Sequence, residues 1–261
     1  MSTVATDDLK YRLKSLVKKV LGYSQPSSSV VLSENAPRKT VAALYLRGIE
    51  IGALHNPLAV PAAAHVKYVD RMAVSDLKQQ YPELAELNLV EVDILDNGET
   101  LGTIPDASQD FVIANHFIEH CQDPIRTLEN MLRVLKAQGV LYLGIPDKRF
   151  TFDQHRPITD LNHVLKDYHD GPEWSRKQHF REWAKFPFLG YQSDNDGQDD
   201  PRIEQEADRF MEMDYSIHFH AWTQTEIMEL LVALKQKLSF SFDVELFLKN
   251  QDEMIVVLRK D

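Results

Sequence analysis

The sequence predicts an α/β fold in which helices flank a mostly parallel sheet and a helical insertion caps one edge of it. Three observations lead to this reading. A strand-helix-strand unit occupies Asp110 to Arg149. An earlier apolar strand ends in Glu50-Ile51-Gly52, an acid followed by a turn residue. After Arg149 the alternation of strands and helices stops and resumes only near the end of the chain.

The central unit justifies itself residue by residue. Phe111-Val112-Ile113-Ala114 is a short apolar run of the length of a buried strand. A polar turn, Asn115 to Asp123, leads to Pro124, a residue suited to a helix start. Ile125, Leu128, Met131, Leu132 and Leu135 then recur at steps of three and four, which gives a helix to about Lys136 with one apolar face. Gln138-Gly139 stops it, and Val140 to Ile145 is a second strand ended by Pro146. Connections this short make the two strands parallel, with a right-handed crossover. Ligands of such sheets lie beyond the carboxyl ends of the strands, here Asn115 to His120 and Pro146 to Arg149.

Taken in order, Asp7 to Gly22 reads as a basic amphipathic helix, preferred as a cover for the core over a membrane-surface helix. A second short helix is expected at Arg38 to Arg47. The first strand follows and ends at Glu50-Ile51-Gly52. Val66 to Val69 is the second strand, with Asp70 at its tip, and Met72 to Tyr81 is a helix. Leu89 to Val92 is expected as the third strand, followed by Asp93-Ile94-Leu95. Asp96 to Ser108 is a loop. Phe150 to Tyr215 is too long for a plain connection and reads as a cap, with helices at Ile158 to Tyr168, Glu173 to Lys185 and Pro201 to Met213. Thr223 and Glu226 form a capping box for a last helix buried through Ile227, Leu230, Leu231 and Leu234. Ser239 to Leu248 and Met254 to Leu258 pair as an antiparallel hairpin. The expected units are 1–47 (N-terminal helices), 48–149 (ligand-binding core), 150–215 (cap) and 216–261 (helix and hairpin completing the core).

The acid before the fourth strand, the turn ending Ile118-Glu119-His120, the Asp123-Pro124 helix start, Arg133-Val134-Leu135-Lys136 and the Gly139 strand together resemble class I S-adenosylmethionine-dependent methyltransferases, in particular the bacterial type 11 group. The resemblance covers about Gly48 to Pro146 and Trp222 to the end. It implies a doubly wound, seven-stranded Rossmann-like sheet and S-adenosylmethionine as cofactor. It assigns Glu50 and Gly52 to the cofactor turn, Asp70 to the ribose hydroxyls, Asp93 to the adenine amino group, Ile94 to the ring face and Asn115 to the cofactor side of the fourth-strand tip. The ribose role also agrees with the roughly 20 residues that separate Asp70 from Glu50. The family's later turn glycines are replaced here by Leu54 and Asn56.

Methyl transfer to a hydroxyl or a protonated amine is helped by a general base. His116 is the first choice, with His120 as a second histidine beneath the site. The string His116-Phe117-Ile118-Glu119-His120 matches an inverted zinc-protease signature, but Pro124 restarts the helix too soon for that reading. A second version is a divalent ion on Glu119, His120 and a cap histidine, as in relatives with an E-x-x-E-H turn. The preferred reading has no metal.

The formal charge of −11 argues against a nucleic-acid partner. No apolar run approaches the ~20 residues of a membrane span. The N-terminus lacks a leader-like apolar segment. The single cysteine, Cys121, fits a cytoplasmic setting and reads as buried and inert. The expected acceptor is a small molecule or glycan-type metabolite, methylated on oxygen or nitrogen. A catalytically silent binding module of the same fold is the alternative. A nicotinamide oxidoreductase is a third reading, which the poor glycine fingerprint after Glu50 opposes.

Overall fold

A computed structural model describes residues 47–261. The helices expected at Asp7 to Gly22 and Arg38 to Arg47 lie outside these residues, except that Arg47 opens the first strand. The strands are β1 (Arg47–Ile51), β2 (His65–Asp70), β3 (Ile94–Leu95), β4 (Gln109–Asn115), β5 (Leu135–Pro146), β6 (Phe242–Asn250) and β7 (Glu253–Lys260). They form one seven-stranded sheet in the order β3-β2-β1-β4-β5-β7-β6. The first five are parallel, and β7 lies antiparallel to both β5 and β6. The order reverses between β1 and β4, which is where a doubly wound sheet opens a crevice for a ligand.

The helices are α1 (Val74–Gln80), α2 (Pro124–Val134), α3 (Leu161–Asp170), α4 (Glu173–Trp183), α5 (Pro201–Glu212) and α6 (Gln224–Gln236). Asp123 caps α2 by accepting from Arg126 N, and Pro124 sits in the first turn where its missing N–H costs nothing. The capping box of α6 forms as the sequence predicts, with Thr223 N donating to Glu226 Oε2 at 2.8 Å. Ile125, Leu128, Met131 and Leu132 of α2 and Ile227, Leu230, Leu231 and Leu234 of α6 enter the main core with Val112, Ala114, Leu141 and Leu143 of the sheet.

Among the boundaries that differ from expectation, two have a clear local reason. The third strand is confined to Ile94–Leu95 rather than Leu89 to Val92. Val90 N donates to Leu54 O, and Tyr68 N donates to the Asp93 side chain instead of to a strand carbonyl. Ladder pairing with β2 therefore begins only at Val69 and Ile94. The second difference is that α2 ends at Val134 and β5 begins at once, with Gln138 in the left-handed region at φ 64°.

The cap has a core of its own. Phe180 and Trp183 of α4 pack with Ile203, Ala207 and Phe210 of α5, and with Phe188 of the π-turn Ala184–Phe188 that follows α4. Ser216 to Trp222 runs from this core to α6 as an irregular strap, not a strand. Its backbone is tied at three points: Phe219 N donates to Glu119 O, Thr159 N to Ala221 O, and Lys148 N to Trp222 O. The strap thereby fixes the cap against the tips of β4 and β5.

Candidate active site

A cleft of about 300 Å³ lies at the carboxyl ends of β1, β2 and β4. That volume is at the lower end of the range for small-ligand sites. Gly52 and Leu54 from the β1 turn, Asp70 from β2, Gly98 from the loop after β3 and His116 and Phe117 from β4 line it on the sheet side. Trp183, Tyr215, His218 and Phe219 close it from the cap and strap. Arg71 bridges the two sides, donating to Asp214 Oδ2 at 3.1 Å and to Tyr81 Oη at 2.6 Å.

The β1 turn keeps its shape despite the altered glycines. Gly52 has φ 63°, and a Cβ there would meet nothing closer than Phe117 at 3.6 Å. Leu54, at a position where the resemblance places a glycine, also stands at φ 50°. A non-glycine residue in this region costs about 1–2 kcal/mol, so the surrounding structure holds the bend open at an energetic cost. Gly98 is required sterically, because a Cβ would sit 2.6 Å from Ile51 Cγ2 and from Phe117 Cζ.

At the β4 tip His116 adopts φ 48° and its side chain is half exposed. Its Nε2 lies 2.9 Å from Glu253 Oε2, and its Nδ1 lies 3.7 Å from Glu119 Oε1. The loss of hydration opposes charge on this ring, but the Glu253 hydrogen bond and the Glu119 carboxylate outweigh it and raise its pKa. Gly144 leaves room for this arrangement: a Cβ there would come within 2.8 Å of Asn115 Oδ1 and 3.1 Å of Glu253 Oε2.

Behind His116 the groups are buried. Both Glu119 carboxylate oxygens are buried without a hydrogen-bond partner among the described residues, and burial raises the Glu119 pKa. His120 Nδ1 lies 2.9 Å from Ile217 O and 3.1 Å from Ser216 Oγ; burial, then the neighbouring His218, push its pKa well down. It is thus held neutral beneath the site. Glu119, His120 and His218 each offer one ligand atom within 4.8 Å of the others, so this group could hold a metal ion. His218 Nδ1 is already bound to Asp153 Oδ2 at 2.6 Å, which leaves its Nε2 facing Glu119.

The predicted residues separate into two sets. Gly52, Asp70, His116 and His120 line the cleft. Glu50, Asp93, Ile94 and Asn115 are not on its wall. Glu50 is buried and both its oxygens accept from Leu58 N, at 3.0 and 3.1 Å, so it holds the β1 turn closed from behind. Asp93 accepts from Tyr68 N at 2.8 Å and secures the β2–β3 edge. Ile94 packs against the main core. Asn115 Oδ1 is buried with no hydrogen-bond partner among the described residues. Cys121 is buried, as its apolar setting suggests. The sequence reading missed Gly98, Asn97 and Glu99, which supply the cleft wall after β3, and Arg71, whose only signal was its place beside Asp70.

Residues 49–143 match the protein family described as "Methyltransferase domain". Two curated proteins from strains of Mycobacterium tuberculosis, each described as a probable S-adenosylmethionine-dependent methyltransferase, are 34% identical to this chain over 89 residues. Those matches take in 33% of this chain and 28% of each relative's length. Among solved structures, one from Rhodobacter sphaeroides described as a putative zinc-dependent alcohol dehydrogenase aligns with TM-score 0.50 at 15% identity, over 97% of this chain and 98% of that one. Another, from Thermotoga maritima, described as a possible histamine N-methyltransferase, has TM-score 0.40 and 15% identity, over 99% and 96%. Residues 49–143 thus resemble a methyltransferase domain, and the strand order is that of a doubly wound, Rossmann-like sheet. The matched segment carries β1 to β4, α2 and most of β5, which are the elements that bear the sheet side of the cleft.

Proposed function

We propose that the chain is an S-adenosylmethionine-dependent methyltransferase acting on an oxygen or nitrogen of a small molecule or sugar-containing metabolite. The observation that carries this reading is the joint placement of Asp70 and His116 on one cleft at the sheet's switch point. The residues present fit the cofactor. Gly52 lets the backbone approach a ligand closely, and Asp70 offers a carboxylate at the β2 tip for ribose hydroxyls. When bound, the cofactor supplies a methyl group activated on a sulfonium.

The chain's own groups then position the acceptor and manage its proton. Glu253 accepts from His116 Nε2–H, which leaves Nδ1 as the basic nitrogen of the ring. A proton taken from an acceptor hydroxyl or ammonium would reside on His116, between the Glu253 and Glu119 carboxylates. Phe152, Trp183 and Phe219 of the cap side limit water at this point and give the acceptor an apolar wall. The single buried cysteine accords with a cytoplasmic setting.

Calorimetric titration with S-adenosylmethionine tests the proposal. Micromolar binding is expected, followed by S-adenosylhomocysteine formation with hydroxyl or amine acceptors. A folded protein that does not bind the cofactor would overturn it; binding without turnover on any acceptor would favour the silent binding module. Asp70→Ala is expected to weaken cofactor binding tenfold or more, since a carboxylate accepting two hydroxyls contributes about 1.5–3 kcal/mol. Unchanged affinity in this variant would remove Asp70 from the ribose.

A further inference from the structure

We infer that the seam between cap and strap is a second site, a structural divalent-metal centre built from His163, Asp167, His179 and His220 and suited to zinc. One ring nitrogen of each histidine lies within 4.8 Å of the others. His163 Nε2 is 3.0 Å from His179 Nε2 and 3.3 Å from Asp167 Oδ2. His220 Nε2 is 4.0 Å from the same Asp167 oxygen. Ligand atoms around a tetrahedral zinc stand about 3.4 Å apart; the His163–His179 and His163–Asp167 separations are close to that spacing, and His220 would move inward to reach it.

The four groups come from three elements. His163 and Asp167 share one face of α3 at a spacing of four, His179 comes from α4, and His220 from the strap. Asp167, His179 and His220 are buried.

Hydrogen bonding alone does not satisfy this group. Asp167 Oδ1 accepts from Ser175 Oγ at 3.2 Å, but Oδ2 is buried with no hydrogen-bond partner among the described residues. His220 Nε2 has one long contact besides the group, 3.4 Å to Gln122 O. Two imidazole nitrogens 3.0 Å apart can share a single proton. A neutral imidazole is the ligating form, and the His179 and His220 rings lie in the interior away from water. A divalent cation supplies the positive charge that a buried carboxylate among neutral imidazoles otherwise lacks. Three nitrogens and one oxygen are donors that zinc takes, and four protein ligands in a closed setting leave no open position for catalysis. Trp222 stacks on His220 at 5.1 Å and 14° and fixes that ring's plane.

The site is distinct from the cleft. His220 faces the metal group, while His218, two residues earlier, faces Asp153 and Glu119. The metal would therefore lock the strap to α3 and α4 and hold the strap's cleft-facing side chains in place.

The test is elemental analysis of the full chain, purified without chelators or a metal-affinity tag, followed by dialysis against a strong chelator. The expected result is stoichiometric zinc, a melting temperature that falls on chelation, and recovery when zinc alone is returned. Asp167→Asn and His179→Gln should lower zinc affinity by roughly a hundredfold, whereas Glu119→Gln should retain the metal. Cobalt added to the stripped chain should give the strong visible absorption of a four-coordinate site, a readout that needs no variant to fold. A folded, metal-free chain whose melting temperature responds neither to chelator nor to zinc would overturn the inference and leave a packed histidine cluster. Metal lost in Glu119→Gln but kept in Asp167→Asn would move the ion to the cleft and overturn it equally.

Discussion

Replacing His116 with alanine is expected to lower turnover by roughly 10²–10⁴ while cofactor binding stays within a few-fold of the parent. The expectation follows from geometry: the ring lines the cleft, and Glu253 fixes one of its nitrogens. Alanine tolerates the left-handed backbone at this position better than a β-branched residue would, so the fold should survive. The pH profile supplies the sharper readout. His116 is raised above its ordinary pKa, and a base works only when deprotonated. Activity should therefore rise with pH through a value above 6.5, the ordinary histidine pKa. Glu253→Gln removes a carboxylate that favours the charged ring, so the rising limb should move to lower pH. A limb that stays in place would mean that another group is titrating. Equal losses of turnover and cofactor affinity in His116→Ala would make the residue scaffold instead of base.

Much of this arrangement was legible in the sequence because local chemistry and burial agreed there. The β4-α2-β5 unit is read from Phe111 to Pro146 because both strands are buried on two faces and therefore apolar throughout, and because Asp123 and Pro124 mark the helix start. The hairpin is read from two apolar runs separated by a short polar loop. The third strand was misplaced because Leu89 and Val90 look like a strand, whereas Val90 is hydrogen-bonded to the β1 turn. Site residues were legible only where the tip of a strand faces the cleft. Asp70 and His116 do so, but Glu50 and Asp93 turn their carboxylates onto backbone N–H groups, a choice made by tertiary neighbours some 8 and 25 residues away in sequence. The pairing of His220 with His163 and His179 was invisible for the same reason, since three separate segments must first be packed together.

The buried ion pair that anchors the strap should dominate stability. Arg156 donates to Asp153 Oδ1 at 2.9 Å, to His218 O at 2.7 Å and to Phe219 O at 3.0 Å. Arg156→Met is expected to cost about 3–5 kcal/mol, because it leaves the buried Asp153 with only His218 beside it and frees two strap carbonyls. Asp153→Asn together with Arg156→Met should cost less than the sum of the singles, since no lone charge then remains. Acid should reveal the same contact. Burial alone would raise the Asp153 pKa, but His218 and Arg156 prevail and bring it from 3.8 to about 2. A carboxylate lowered in the folded state stabilises above its unfolded pKa, and that contribution is lost as pH falls through the folded one. The loss amounts to about 2 kcal/mol at 1.36 kcal/mol per pKa unit, and urea unfolding of the parent and of Asp153→Asn across the acid range measures it. Identical pH slopes would show that Asp153 is no more ionised in the fold than out of it. Because the strap carries His218 and Phe219 to the cleft wall and Phe219 N holds Glu119 O, Arg156→Met should also reduce turnover at temperatures where the chain is still folded. A residue that touches neither acceptor nor cofactor then limits the reaction through the placement of the groups that do.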